Sequence, residues 1–80
     1  TLIYKTLLFI KENASKYSVE DLKEISIEKF QKHVELDLEY LEIVALENLQ
    51  PIKKYNEKGH NAACIAVSIS SVRLIDNIIF

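Results

Sequence analysis

The apolar residues of this 80-residue chain change their spacing near Leu36, and that change limits the folds available to it. Before Leu36 they recur at intervals of three and four, the period of an amphipathic helix. After it they alternate with polar residues, as they do in a β-strand. The sequence therefore predicts an α+β domain, in which helices come first and pack on one face of a sheet.

Two helices are predicted before this change. The apolar stripe of the first, over residues 2–14, consists of Ile3, Leu7, Ile10 and Ala14, with Leu8 beside it. A polar break over residues 13–17 separates it from the second helix. Ser18 is expected to begin that helix, because its side chain can cap the backbone N–H of Asp21.

The apolar stripe of the second helix changes position partway along the segment. One series is Val19, Leu22 and Ile25, and an offset series is Ile27, Phe30 and Val34. Either one helix over residues 18–35 rotates its buried face, or two short helices meet near Ser26, which could serve as a second N-cap. We favour a single helix, because neither proline nor glycine interrupts the segment.

Three strands are predicted after Leu36. Leu38 and Tyr40 begin a run of alternating apolar residues that leads into a strand near residues 39–45. Residues 62–69 are apolar at both alternate sets of positions, which is typical of a central strand covered on both faces. Residues 72–79 form the last strand. Because the connections are short, we expect two N-terminal helices followed by a small three-stranded antiparallel sheet.

Composition favours one cytosolic domain over residues 1–80. A lone cysteine, Cys64, argues against a secreted domain held by disulfides, and we expect it in the core. The net charge of −2 and the absence of a basic stripe argue against nucleic-acid binding. No apolar run approaches the roughly 20 residues that span a membrane. Because the chain begins with Thr1 and has no methionine, we expect it to be a fragment of a longer protein.

No motif for catalysis, cofactor binding or metal binding is evident. A single glycine cannot make a phosphate-binding loop. His60 and Cys64 have the spacing of a helical metal site, but we predict a loop and a strand there, and two ligands do not complete a zinc site. The acidic residues Glu35, Asp37 and Glu39 could suggest a cation site or paired carboxylates, but a solvated face explains them equally well. We therefore expect no catalytic, cofactor-binding or metal-binding residue in this chain.

The last predicted strand carries polar residues that a plain core strand would lack. Side chains two positions apart share a face of a strand, so Asp76 lies on one face while Arg73 and Asn77 lie on the other. A buried Asp76 would need hydrogen-bond donors. Two interpretations stay open: Asp76 and Asn77 bind backbone amides of neighbouring turns, or one face of the strand closes over a partner or a ligand.

Several short segments together resemble a known family. They are Leu2-Ile3-Tyr4-Lys5, Tyr40-Leu41-Glu42-Ile43-Val44, Leu49-Gln50-Pro51-Ile52, Ala66-Val67 and Arg73-Leu74-Ile75-Asp76-Asn77. In this order they resemble the C-terminal domain of the pantothenate synthetase (pantoate–β-alanine ligase) family, over essentially the whole chain. The chain departs from that pattern at residues 68–72, where family members tend to have a basic residue, an apolar one and then Gly-Lys-Thr. A glycine common near the end of the second helix is also missing.

The resemblance implies that residues 1–80 are the C-terminal lid domain of a two-domain cytoplasmic ligase, whose N-terminal catalytic domain is the lid's partner. Such an enzyme activates pantoate with ATP and Mg²⁺ to pantoyl adenylate, releasing pyrophosphate. β-Alanine then attacks the adenylate to give pantothenate and AMP. The resemblance also implies a homodimer of the full-length enzyme.

The resemblance assigns no catalytic residue to this chain. The paired histidines and the Ser-Ser-Arg-Asn-like loop that hold the triphosphate in that family match no position here. The fragment is therefore expected to bind no cofactor and to be inactive alone. The candidates for the lid face are Tyr40, Arg73, Asp76 and Asn77.

A stand-alone α+β protein-interaction module is the alternative hypothesis. It would bind another protein through its sheet edge or an exposed strand face. A lid domain should instead have an exposed apolar patch where the N-terminal domain contacts it.

Overall fold

The computed structural model describes residues 1–56 and 58–80, and within them it has two helices followed by three strands. The elements are α1 (Leu2–Asn13), α2 (Val19–Gln31), β1 (Asp37–Ala45), β2 (Asn61–Ile69) and β3 (Val72–Ile79). The strands lie in the order β1-β2-β3, and both neighbouring pairs are antiparallel. The predicted α+β class, with two N-terminal helices and a three-stranded antiparallel sheet, is confirmed.

Side-chain caps define where both helices begin. Thr1 Oγ1 accepts a hydrogen bond from the Tyr4 N–H at 3.1 Å, and Ser18 Oγ accepts one from the Asp21 N–H at 3.1 Å. Each cap satisfies a backbone donor that the first turn of a helix leaves unpaired. The acidic residues Glu20 and Asp21 in the first turn of α2 interact favourably with the helix dipole. The predicted cap at Ser18 is confirmed.

α2 is one continuous helix, and Ser26 lies inside it instead of starting a second helix. Its buried residues are Val19, Leu22, Ser26 and Phe30, at intervals of three, four and four. The buried stripe therefore keeps its direction, because a serine occupies one of the core positions. The prediction of a single helix is confirmed, and the predicted rotation of its stripe is wrong.

α2 ends at Gln31, earlier than the predicted end at residue 35. The His33 N–H donates to the Phe30 carbonyl and the Leu36 N–H donates to the His33 carbonyl, both at 3.0 Å. These bonds span three residues, as in a 3₁₀ turn, so the chain leaves the helix over this segment. Val34 lies in that turn and is 97% exposed, so its predicted place on the buried face was wrong.

The hydrophobic core lies between the helices and one face of the sheet. Its most buried members are Leu7 and Ile10 of α1, Val19, Leu22 and Phe30 of α2, Leu41 and Ile43 of β1, and Ala63, Ile65 and Val67 of β2. α1 packs against β2 and β3, and α2 packs against β1. Burying one large aliphatic side chain contributes about 1.5–3 kcal/mol, so this layer of packing is the main source of stability.

A β-bulge at Glu39 adjusts the register of β1. Leu38 pairs with Val67, and Tyr40 pairs with Ala66, so β1 has one more residue than β2 over this step. The extra residue keeps both Leu38 and Leu41 on the helix-covered face, and it moves Tyr40 to the opposite face. Simple alternation, which places Tyr40 on the same face as Leu38, was wrong here.

The two edges of the sheet differ in how much of the backbone is paired. Residues 50–52 return beside β1: the Ala45 N–H donates to the Gln50 carbonyl and the Ile52 N–H donates to the Ile43 carbonyl, both at 3.0 Å. Pro51, which has no N–H, forms an isolated bridge between these bonds. The outer edge of β1 is therefore partly covered. β3, the other edge strand, is exposed along most of its length.

The hairpin between β2 and β3 has a two-residue loop, because Ile69 pairs with Val72. Ser70 has a positive φ of 53°, whereas Ser71 keeps a negative φ. A positive φ at only the first loop residue is typical of a type II′ turn, in which glycine is preferred at that position. Ser70 is where the resembled family tends to have glycine, so this chain makes the turn with a less favourable residue.

Candidate functional site

The candidate functional surface is the face of the sheet that neither described helix covers, here called the open face. Residues that pair across neighbouring strands share a face, so the open face consists of four cross-strand rows. The rows are Ser68 and Arg73, which the side chain of the bulged Glu39 joins by hydrogen bonds; Tyr40, Ala66 and Ile75; Glu42, Cys64 and Asn77; and Val44, Ala62 and Ile79.

Three of the four lid-face candidates lie on the open face, namely Tyr40, Arg73 and Asn77. Asp76 lies on the opposite face, because it pairs with the core residue Ile65. All four candidates are exposed, so Asp76 does not need the hydrogen-bond donors that a buried carboxylate would need. Asp76 Oδ1 accepts a hydrogen bond from the adjacent Asn77 N–H at 2.8 Å. Its carboxylate therefore binds backbone within its own strand and not in a neighbouring turn.

A polar cluster of Glu39, Ser68 and Arg73 occupies one end of the open face. Arg73 Nε donates to Glu39 Oε1 at 2.9 Å, and the Ser68 hydroxyl donates to Glu39 Oε2. The Ser68 hydrogen bond lowers the pKa of Glu39 below its ordinary value of 4.5, and the Arg73 charge lowers it further against an opposing effect of desolvation. The cluster keeps Glu39 ionised and fixes the direction of the Arg73 side chain.

Arg73 is suited to contact an anionic group on the open face. A guanidinium carries five N–H donors, and Glu39 accepts from the one on Nε. The Arg73 side chain is 51% exposed, so the remaining donors are within reach of a partner. From the sequence, a solvated face was a sufficient explanation of Glu39, and Ser68 was not a candidate. The break in alternation at Tyr40-Leu41 was the signal for the bulge that brings the three residues together.

Apolar side chains occupy the second and fourth rows of the open face. Tyr40, Ile75 and Ile79 on the edge strands are 39%, 59% and 52% exposed, whereas Ala62 and Ala66 on the central strand are buried. The third row, with the polar residues Glu42 and Asn77, lies between these two apolar rows. Exposed apolar side chains mark surfaces of interaction when a partner can cover them, so this face can bind a partner that matches its apolar and polar rows.

Cys64 lies on the open face and is only partly buried, so its predicted place in the core was wrong. Side chains along β2 alternate between the two faces of the sheet, so Cys64 lies on the same face as Ala62 and Ala66. Burial raises the pKa of the Cys64 thiol. Because the thiolate is the reactive form, this environment does not favour a nucleophilic role.

A cavity of about 700 Å³ lies away from the open face, between the end of α1 and the loop that precedes β2. Its polar lining mainly holds that loop in place. Asn61 accepts from the Asn56 N–H at 3.0 Å, and its amide donates to the Asn56 and Phe80 carbonyls. Tyr55 packs edge-on against Phe80, and burial raises the pKa of Tyr55 to about 12. Glu57 lies outside the described residues.

Residues 1–56 and 58–80 contain neither a metal-binding cluster nor a membrane-spanning helix. No group of three His, Cys, Asp or Glu side chains in those residues is arranged to hold a metal ion. None of the helices in the described part of the chain has the length and apolar character needed to cross a membrane. The open face therefore stands as the principal candidate for function.

Comparisons with known proteins match the chain along nearly its whole length. The sequence profile of the family "Pantoate-beta-alanine ligase" matches residues 1–79. The pantothenate synthetase of Cytophaga hutchinsonii is 37% identical over 79 residues, which are 96% of this chain and 28% of that protein. The pantothenate synthetase of Thermosipho melanesiensis is 39% identical over 80 residues, which are 99% of this chain and 28% of that protein.

The fold agrees with the sequence comparison. The crystal structure of pantothenate synthetase from Thermus thermophilus superposes with a TM-score of 0.85 at 28% sequence identity. The match covers 96% of this chain and 28% of that one. The chain thus spans little more than a quarter of the length of each of these three relatives. On these findings, the chain belongs to the pantoate–β-alanine ligase family.

Proposed function

We propose that this chain is the C-terminal lid domain of a two-domain pantothenate synthetase. The full-length enzyme condenses pantoate with β-alanine, using ATP, and forms AMP and pyrophosphate by way of pantoyl adenylate. The observation that carries the proposal is the family match over residues 1–79, together with the 28% share of each relative that the chain covers. We further propose that the full-length enzyme is a cytoplasmic homodimer.

The proposed role of this chain is to close the active site. An acyl adenylate is readily hydrolysed, and a closed lid excludes water from it. Pantothenate synthesis in this family uses Mg²⁺ with ATP, but residues 1–56 and 58–80 do not form a set of metal ligands. We therefore assign no ligand of Mg²⁺ to this chain, and we assign the adenylation chemistry to the rest of the protein.

The proposal is tested by assaying the complete protein that contains residues 1–80. We expect formation of AMP, pyrophosphate and pantothenate that requires pantoate, β-alanine and ATP together. The isolated 80-residue chain should form none of these products. A complete protein that forms ADP, or that forms no AMP with these substrates, would contradict the proposal.

A stand-alone interaction module remains the alternative from another class, and the family match disfavours it. The alternative predicts that a partner protein binds the chain and that the complete protein makes no pantothenate. The same assay therefore separates the two functions.

A further inference from the structure

We propose that the open face of the sheet is the surface that the N-terminal part of the ligase covers when the enzyme closes on its substrates. This inference rests on the proposed function and specifies which side of the domain faces the catalytic part. The sheet offers two broad faces for such a contact. The helices already cover one of them, and the core lies there.

The open face has the character of an intermittent interface. Exposed apolar side chains at Tyr40, Ile75 and Ile79 flank the small residues of β2, and the polar row with Glu42 and Asn77 lies between them. The rim of the face holds the charged pair of Glu39 and Arg73. Such a mixture of apolar and polar side chains is typical of interfaces between domains of one chain, which are more polar than permanent interfaces. A few partly exposed apolar side chains can remain in water while the lid is open, and they gain free energy of burial when it closes.

The occupant that we assign to this face is the remainder of the same polypeptide. The chain accounts for only 28% of the relatives' length, so most of each relative lies outside the matched part. A tethered partner binds at high effective concentration, so a small interface suffices. Interfaces between domains of one chain are typically modest in area and allow relative motion, as a lid requires.

A pair of lysine substitutions on β3 tests the inference in the complete enzyme. Ile75→Lys places an ammonium on the open face, and Val72→Lys places the same group on the opposite face of the same strand. The two positions are 59% and 53% exposed, so the substitutions are matched. A covered lysine must lose its hydration. We expect Ile75→Lys to lower kcat/KM at least about tenfold, and Val72→Lys to leave it within about twofold.

A labelling experiment measures coverage directly and does not depend on activity. Ile75→Cys and Val72→Cys variants of the complete enzyme are alkylated with and without saturating ATP and pantoate, in the absence of β-alanine. Mass spectrometry of the peptide that contains each new thiol gives its rate. We expect the substrates to slow alkylation at position 75 by about tenfold or more and to leave position 72 unchanged. A tenfold change corresponds to about 1.4 kcal/mol of closure free energy.

The outcomes separate this inference from the proposed function. If the wild-type enzyme makes pantothenate but substrates protect both thiols equally, or protect neither, the open face is not the closing surface and the proposed function stands. Protection at position 72 alone would assign closure to the opposite face and overturn the inference. If the wild-type enzyme makes no pantothenate, the proposed function itself fails.

Discussion

Replacing Ser26 with alanine is expected to stabilise the chain, whereas the same replacement at Ser18 is expected to destabilise it. Ser26 is fully buried in α2, and its Oγ has no hydrogen-bond partner among the described residues. Ser18 is exposed, and its Oγ accepts the hydrogen bond that caps the same helix. Replacement of each serine by alanine therefore removes the same hydroxyl, once from a buried site without a partner and once from an exposed N-cap.

The magnitudes follow from these environments. An unsatisfied buried hydroxyl costs about 1–3 kcal/mol, and alanine is favoured over serine inside a helix by up to about 0.7 kcal/mol. The space left by one oxygen atom reduces this gain by a few tenths of a kcal/mol. We expect Ser26→Ala to raise the free energy of unfolding by about 1–3 kcal/mol. Loss of the N-cap in Ser18→Ala should lower it by about 1 kcal/mol.

Urea unfolding of residues 1–80, followed by far-ultraviolet circular dichroism, measures both changes. The dependence of the unfolding free energy on urea should be the same in all three proteins, since the buried area barely changes. A lower stability of Ser26→Ala would refute the reasoning. It would mean that Ser26 Oγ makes a hydrogen bond in solution, for example to a carbonyl in the preceding turn. Equal changes in the free energy of unfolding at both positions would show that burial of the hydroxyl does not determine the effect of the substitution.

Three further outcomes are expected from the structure. Ser70→Gly should raise the free energy of unfolding by about 0.5–1 kcal/mol in urea titrations, because glycine adopts a positive φ without strain, whereas Ser71→Gly should lower it. Leu22→Ala should lower the free energy of unfolding by about 2–5 kcal/mol, because Leu22 is fully buried in the core. Glu39→Gln should destabilise the chain near neutral pH and lose that effect below about pH 4.5. The pKa of Glu39 is lowered in the folded state, so its stabilising contribution is complete above the unfolded value of 4.5 and disappears as the pH falls through the folded value. Thermal unfolding at several pH values checks the last prediction.

Local patterns predicted most of the fold. The Ser18 cap, the order of the elements and the bounds of β3 at residues 72–79 all follow from spacing and capping within short segments. The buried stripe of α2 did not follow, because it passes through Ser26. A polar residue at a core position interrupts an apolar pattern without interrupting the helix, so periodicity alone suggested a rotation that the packing does not have.

The site could be predicted only in part. Alternation along β3 correctly placed Asp76 on one face and Arg73 and Asn77 on the other. Side chains alternate between the two faces within a strand, whatever the strand packs against. The exposure of Asp76 was not predictable in this way, since it depends on how far the helices extend over an edge strand. The polar cluster depends on the bulge, which gives Glu39 two partners on different strands. Such contacts arise from register between distant segments, which a single sequence does not specify.

Deletion of Glu39 tests whether the bulge determines what the open face presents. Without this residue, Leu38, Tyr40 and Leu41 become consecutive, and regular alternation still places Leu38 and Leu41 on the helix-covered face. The core should therefore survive, and only the contacts of Glu39 with Ser68 and Arg73 are lost.

Deletion of Glu42 is the matched control within β1. It makes Leu41 and Ile43 consecutive, so one of these two core residues must move to the open face. We expect it to cost at least about 2–5 kcal/mol, as the loss of one large core side chain does. Urea unfolding of both deletion variants should show a cooperative transition near the wild type for the first and a large loss for the second. Equal losses would mean that the bulged residue contributes to the fold itself, and that its role is not confined to the polar end of the open face.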